Sequence, residues 1–276
     1  MHKIKSPFFD LKCTLECGQA FRWKKDNDWY YRVIDNQLIL IKQVDNYLIF
    51  NSNENCENIL MNYFRFDDNL KKIYSEISKD SLMKCIIKKF HGLRLIRQEP
   101  FECLISYICS ANNNIPNINR IIDNICKTFG NTVEFGLYKE FSFPKPRILA
   151  NASLNQLKKC GLGFRAKYVK MVSKLITDRK LKLEELKNVE YYKAKQKITE
   201  LPGVGNKIAD CVLLFSFDRL EAFPVDVWIR RALTKNYFNN RKVSDDKIRD
   251  FAENYFGKYA GYANQYLFYY ARNFKR

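Results

Sequence analysis

One seven-residue stretch constrains this chain more than any other. Two stretches with apolar residues at helical spacing, 192–200 and 207–217, are separated by Leu201-Pro202-Gly203-Val204-Gly205, and Asn206-Lys207 follow. A helix ends before Leu201, and a new one starts at about Asn206, a residue that suits a helix N-terminus. Two helices joined by a glycine-containing turn make a helix-hairpin-helix. Gly203 and Gly205 let another backbone approach closely, and the amides at the start of the following helix can bind a phosphate.

The same helical spacing dominates the chain from about Pro100 onward. Phe101, Leu104, Ile105, Ile108 and Cys109 form one stripe, and Asn112-Asn113-Asn114 break it. Ile118, Ile121, Ile122 and Ile125 form the next, which ends near Gly130, and further stripes follow at 154–160, 168–176, 225–234, 245–256 and 261–272. No strong strand pattern is expected in this half. The first hundred residues differ. WYYRVI (29–34), QLILIK (37–42) and YLIF (47–50) are rich in β-branched and aromatic residues, and Asp35-Asn36 and Asp45-Asn46 punctuate them, as in an antiparallel meander. Helical stripes follow at Ile59, Leu60, Tyr63 and Phe64, and again through 70–90. The fold class is therefore α+β. A small N-terminal antiparallel-sheet domain with helices (1–98) precedes an all-helical helix-hairpin-helix body (99–276). No internal repeat or low-complexity linker interrupts them.

Charge narrows the class of partner. The 276 residues carry 48 Lys+Arg against 30 Asp+Glu, a net +18. Residues 1–100 hold only +4 of this and residues 101–276 hold +14. A basic excess concentrated on the helical half points to a polyanion surface. No apolar run reaches the roughly 18 residues of a membrane span, so no membrane partner is expected. The opening MHKIKSPFFD lacks the apolar core of a secretory signal. Nine cysteines at irregular spacings, without a CxxC pair and with only two His, argue against a zinc site. They fit free thiols in a reducing intracellular compartment.

Lys207, Cys211 and Phe215 are spaced to share one face of the helix after the hairpin. A lysine there can extend its ammonium to solvent or contact a phosphate. It can also be an amine nucleophile, a role favoured by partial burial and the positive end of a helix. Nineteen residues on, Phe223-Pro224-Val225-Asp226-Val227 places a carboxylate between apolar neighbours. Asp226 can simply cap a helix, or it can stabilise a developing cation. A lysine and an aspartate beside a DNA-binding hairpin point to base excision through a covalent imine.

These segments resemble the helix-hairpin-helix DNA glycosylases, and specifically their 8-oxoguanine DNA glycosylase branch. CGQAFRW (17–23), YFRFDDNLKKIY (63–74), GLRLIRQEPFECLISYICSANNN (92–114), GLGFRAKYV (161–169), LPGVGNK…PVD (201–226) and YAGYANQYLF (259–268) resemble the branch's motifs, in its order and over nearly the whole chain. The resemblance implies a bifunctional glycosylase and abasic-site lyase, with Lys207 as nucleophile and Asp226 as catalytic aspartate. Gly18 would read the protonated N7 of 8-oxoguanine through its carbonyl. Cys211 and Phe268 would sandwich the extruded base, with Pro224 on the wall. Asn264 stands where the family usually has Gln for the base's Watson–Crick edge, with Gln265 adjacent. Asn112 would reach into the gap, Phe164 would wedge the stack where many members use Tyr, and Arg165 would contact the opposite cytosine.

Two positions depart from the eukaryotic pattern. Asn117 replaces a second arginine to the opposite cytosine, and Trp228 replaces a histidine near the phosphates. A weak opposite-base preference is the expectation. No cysteine follows Cys211, so the iron–sulfur cluster of the endonuclease III branch is not expected, nor any other metal or cofactor. The implied partner is double-stranded DNA containing an oxidised purine, bound by a monomer. Two alternatives are an alkylpurine DNA glycosylase, a branch that generally lacks the lysine, and a non-catalytic DNA-binding protein.

Overall fold

The computed structural model describes residues 1–274. Five antiparallel strands form one sheet: β1 (His2–Lys5), β2 (Lys24–Asp26), β3 (Trp29–Ile34), β4 (Gln37–Val44) and β5 (Tyr47–Asn51), in the order β1-β5-β4-β3-β2. The expected meander is β3-β4-β5, with Tyr30 opposite Ile41 and Gln43 opposite Leu48. The sequence pattern missed both edge strands. β1 buries only Ile4, and β2 reads Lys-Lys-Asp, so neither shows apolar alternation.

Helices α1 (Leu11–Glu16) and α2 (Glu57–Tyr63) cover the sheet. Phe9, Leu11, Leu15, Leu60 and Phe64 share one apolar cluster with Ile39, Ile41, Leu48 and Phe50. Helices α3 (Leu70–Ile77) and α4 (Ser81–Lys89) belong to a second, larger cluster, that of the helical body. The division expected at 98–99 falls just ahead of α5 (Pro100–Cys109), whereas the body's core already includes Leu70 through Leu95.

The body continues with α6 (Ile115–Phe129), α7 (Pro146–Asn151), α8 (Leu154–Leu157), α9 (Ala166–Thr177), α10 (Tyr191–Thr199), α11 (Asn206–Ser216), α12 (Val227–Tyr237), α13 (Asp245–Phe256) and α14 (Ala260–Asn273). Among the described residues, no helix is long and apolar enough to cross a membrane. The helical half also contains an unexpected hairpin, β6 (Thr132–Phe135) and β7 (Tyr138–Phe141). Each strand is four residues long and only half-buried, too little for a period-two pattern. Its Val133, Phe135 and Tyr138 pack on Val33, Leu38 and Leu40, so the hairpin joins the helical body to the sheet. A buried carboxylate makes a second joint. Glu102 of α5 accepts from Arg22 Nη1 (2.7 Å) and Arg32 Nη2 (2.6 Å), and Arg32 Nη1 donates to Tyr63 Oη (2.7 Å).

Helix α11 runs through the middle of the body, with Ile208 to Phe215 all buried. Asp210 is fully buried among them. Its Oδ1 accepts from Tyr191 Oη (2.7 Å) and Lys195 Nζ (2.8 Å), and its Oδ2 from Arg249 Nε (3.0 Å). One carboxylate thus ties α10, α11 and α13 together. Removing it leaves the largely buried Lys195 without a carboxylate and Arg249 with only Asp246, and unpairing buried cations costs more than the pairs themselves contribute. Asp210→Ala is expected to lower stability by about 3 kcal/mol, measured as a shift in the urea unfolding midpoint at unchanged slope.

Candidate active site

The hairpin adopts the geometry its sequence predicts. Gly203 has φ +80, and a β-carbon on it would lie 2.6 Å from the Tyr168 ring of α9, so backbone and neighbour both demand glycine. Gly205 is the N-cap of α11, in extended conformation (φ −102) and without a side-chain cap bond. A β-carbon there would meet only open space, so the protein itself leaves this turn clear for an approaching backbone. Tyr168 also holds the neighbouring loop, because the Phe164 ring meets it edge-on at 6.4 Å. Phe164 is 53% exposed, so its ring is open to an approaching partner.

Lys207 lies half-buried in the first turn of α11. Its Nζ donates to Ser110 Oγ (3.0 Å) and sits 5.2 Å from the Tyr107 ring centroid. Ser110 in turn donates to the Tyr107 carbonyl (2.6 Å), which leaves its oxygen free to accept from the amine. The Tyr107 ring is buried against Phe215 at 5.7 Å, nearly parallel, and its hydroxyl donates to the Gln19 carbonyl (3.1 Å). Tyr107 therefore links Lys207 to the Cys17–Gln19 segment. The sequence pattern placed neither Tyr107 nor Ser110 in the site, since both sit within an apolar helical stretch.

Asp226 is the N-cap of α12, with Oδ1 accepting from the amides of Trp228 (2.9 Å) and Ile229 (2.8 Å). Burial raises its carboxyl above the ordinary aspartate range, against the opposing pull of these amides and of the Lys207 cation. Capping and charge placement therefore coexist in one side chain. Cys211, one turn beyond Lys207, is buried, and burial pushes its thiol up to about 12 even with Lys207 opposing. It is an uncharged wall, and no thiolate competes with the amine as nucleophile there.

Gly18 occupies a crowded left-handed position, φ +88. A β-carbon on it would lie 2.8 Å from Ile115 Cδ1 and 3.3 Å from Phe268 Cε1, and would collide with Arg272 Nη1. Gly18 and Phe268 thus lie close to each other. The preceding Cys17 carbonyl accepts from Gln265 Nε2 (3.1 Å) and Arg272 Nη1 (3.4 Å), two donors from α14 that orient the Gly18 peptide. Asn264 behaves differently from expectation. It is buried, and its Nδ2 donates to the Pro224 carbonyl (2.9 Å), tying α14 to the segment that leads into Asp226. The side-chain amide beside Gly18 belongs to Gln265.

Two further positions are resolved by contacts. Asn112 is exposed in the left-handed region, φ +48, between α5 and α6. Arg165, expected to reach a base, is 7% exposed and turned inward. Its guanidinium donates to the carbonyls of Ala111, Asn112 and Leu162 and clamps the two loops together. Its N–H groups satisfy carbonyls that would otherwise be stranded at the loop base. Asn117 sits in the first turn of α6, and Trp228 is partly buried in the first turn of α12, with the Arg231 guanidinium 5.7 Å from its ring. All nine cysteines are unpaired, and seven are buried.

The chain is similar to known proteins over its whole length. Residues 2–104 match the family described as 8-oxoguanine DNA glycosylase, N-terminal domain. Residues 105–258 match the HhH-GPD superfamily of base excision DNA repair proteins. The N-glycosylase/DNA lyase OGG1 of Arabidopsis thaliana is 30% identical over 286 residues, covering 96% of this chain and 78% of the plant protein. A probable N-glycosylase/DNA lyase of Methanothermobacter thermautotrophicus is 33% identical over 214 residues, 70% of this chain and 68% of its own. Among solved structures, the 8-oxoguanine glycosylase/lyase of Clostridium acetobutylicum, in complex with double-stranded DNA containing cytosine opposite 8-oxoguanine, superposes with a TM-score of 0.91. It is 35% identical, over 96% of this chain and 92% of that one.

Proposed function

The chain belongs to the 8-oxoguanine DNA glycosylase family, and from that premise we propose that it excises 8-oxoguanine from duplex DNA and then cleaves the strand, with Lys207 as the nucleophile. One observation carries the assignment of Lys207: a half-buried amine opens the helix after a DNA-binding hairpin, fixed by Ser110 and Tyr107 on the Asp226 side of the body.

The lesion must leave the stack before its glycosidic bond can be reached. The net positive surface and the Gly203–Gly205 turn hold phosphates, with Trp228 and the start of α12 alongside. Phe164 fills the vacated stack, offsetting part of an unstacking cost of about a few kcal/mol. Asn112 enters the same gap. The flipped base lies between Cys211 and Phe268, bounded by Pro224, and the Gly18 carbonyl accepts the N7–H that distinguishes 8-oxoguanine from guanine. Gln265 orients that carbonyl through the peptide before it.

The chemistry then uses two side chains. Lys207 first gives up its ammonium proton to solvent, and the lone pair so freed forms a bond to C1′ as the C1′–N9 bond breaks and its electron pair leaves with the base, which takes up a proton. Asp226 stabilises the positive charge that builds on the sugar. The nitrogen loses one proton and its lone pair forms the C1′=N bond as the C1′–O4′ bond breaks, O4′ takes up a proton, and a ring-opened C1′ iminium remains. That cation acidifies C2′, and loss of its proton expels the 3′ phosphate. No metal or redox cofactor enters these steps. Every group this mechanism uses can come from one chain, and a monomer is the proposed acting species. Its free thiols suit a reducing, DNA-containing compartment.

The test is a duplex with one 8-oxoguanine opposite cytosine, incubated with the protein and sodium borohydride. We expect a covalent protein–DNA adduct and, without borohydride, a strand break 3′ to the lesion. Base release with no adduct would instead mean that water, activated by Asp226, is the nucleophile. Because Asn117 replaces an arginine, the preference for cytosine opposite the lesion is weak.

A further inference from the structure

We infer that Arg120 is the side chain that meets the base opposite the lesion. This rests on the proposed function, in which Phe164 enters the stack and leaves that base without a partner. Whatever lies beside Phe164 and can donate hydrogen bonds then faces its Watson–Crick edge.

Arg165 is the neighbour in sequence, but its guanidinium is buried and engaged with the carbonyls of Ala111, Asn112 and Leu162. Turning it outward would break the clamp between the two loops and take a donor from each of these carbonyls, the buried one of Leu162 among them. Arg120 has the opposite character. It is exposed on α6 and forms no ion pair among the described residues. Nearby Asp123 is occupied by Lys24 (2.9 Å) and Lys127 (2.7 Å).

Its position is set from both sides. Helical side chains lean toward the N-terminus of their helix, so Arg120 reaches back one turn to Asn117. Arg120 Nε and Nη2 donate to Asn117 Oδ1 at 3.2 and 2.6 Å. Asn117 is oriented in turn, its Nδ2 donating to Asn113 Oδ1 (2.7 Å), and Asn113 Nδ2 donates to the Cys109 carbonyl (3.0 Å). On the other side lies the loop that carries Phe164. A β-carbon on Gly161 would sit 3.3 and 3.4 Å from Arg120 Nη2 and Nη1, so the guanidinium lies against the loop that carries Phe164. The short Asn117 thus holds at its tip a guanidinium supplied from one turn further along.

A guanidinium only donates. Cytosine offers adjacent acceptors at O2 and N3. Guanine and thymine carry an N–H in the middle of that edge, and adenine pairs its N1 acceptor with an amino group. A fork of donors therefore favours cytosine, and it does so modestly here because two of the donors, on Nε and Nη2, are already engaged with Asn117.

The experiment measures single-turnover excision of 8-oxoguanine opposite C, A, G, T and an abasic-site analogue, by wild type, Arg120→Ala and Arg120→Lys. Wild type is expected to favour cytosine over adenine by roughly five- to tenfold, the low end for a bidentate contact. Arg120→Ala should bring that ratio to within about twofold of unity and lower the cytosine rate relative to the abasic one. Arg120→Lys, a point donor without the fork, should fall between. Equal wild-type rates on all four bases, or a ratio unchanged in Arg120→Ala, would overturn the inference while leaving the glycosylase reading intact. So would an equal slowing on all five duplexes, the mark of a phosphate contact. No excision by wild type opposite any base would overturn the proposed function, and this inference with it.

Discussion

Replacing Lys207 by Gln is expected to abolish both the borohydride-trapped adduct and strand cleavage at 8-oxoguanine, a loss of at least about 10³-fold, the scale on which enzymes lose a nucleophile. Gln has nearly the length of Lys and carries an amide that can still donate to Ser110 Oγ, so the local geometry has a substitute. What disappears is the lone pair that forms the C1′ bond and the iminium that acidifies C2′. The contact of the cation with the Tyr107 ring also goes, worth about 0.5–1 kcal/mol at a partly exposed site. Stability should therefore shift by less than about 1 kcal/mol, and duplex binding should persist. Adduct formation and scission are read on one gel, binding by anisotropy, and folding by thermal melting. Substantial scission by a folded Lys207→Gln protein would show that another amine forms the imine.

How much of this was legible in the sequence depends on how far each signal reaches along the chain. Helices α9 to α14 begin and end within three residues of their apolar stripes, because each buries one face and the period repeats. The hairpin was legible because two glycines and a proline punctuate two such stripes. Strands β1, β2 and β6–β7 were not, since they bury one side chain or none, or are too short to alternate twice. The same divide runs through the site. Lys207 and Asp226 stood out as charges among apolar neighbours. Ser110 did not, because its contact is with a residue 97 positions away, and Tyr107 looked like core because it is core. Arg165 and Arg120 are the sharper case. The family resemblance implied an outward role for Arg165, but its direction is set by three carbonyls that no local pattern reveals. Asn264 and Gln265 show the same limit. Helical spacing put Asn264 on the Phe268 face, while the partner that decides its side-chain amide, the Pro224 carbonyl, lies 40 residues away.

Asp226→Asn separates the two functions that the aspartate combines. Asn caps helices about as well as Asp, so its side-chain oxygen can accept from Trp228 and Ile229 as Oδ1 does, and the start of α12 should hold. Asp226→Ala, in contrast, should lose about 1 kcal/mol of cap energy. The charge is a different matter. Burial already disfavours it, since the carboxyl titrates above the ordinary aspartate value in the folded protein. A group raised in this way carries its unfavourable charge above that value, so neutralising it costs no stability at neutral pH. Excision should nonetheless fall by roughly 10²–10³-fold, as when one preorganised electrostatic group is taken from a transition state. The pH profile supplies the second reading. In wild type, excision should decline on the acid side as Asp226 takes up its proton, and this limb should lie above the ~3.9 of an unperturbed aspartate. In Asp226→Asn the limb should vanish, leaving a low, flat acid region, with the unfolding midpoint close to that of wild type. A variant that melts early would mean that the cap dominates. A variant that is stable, slow and still shows the acid limb would assign that titration to another group.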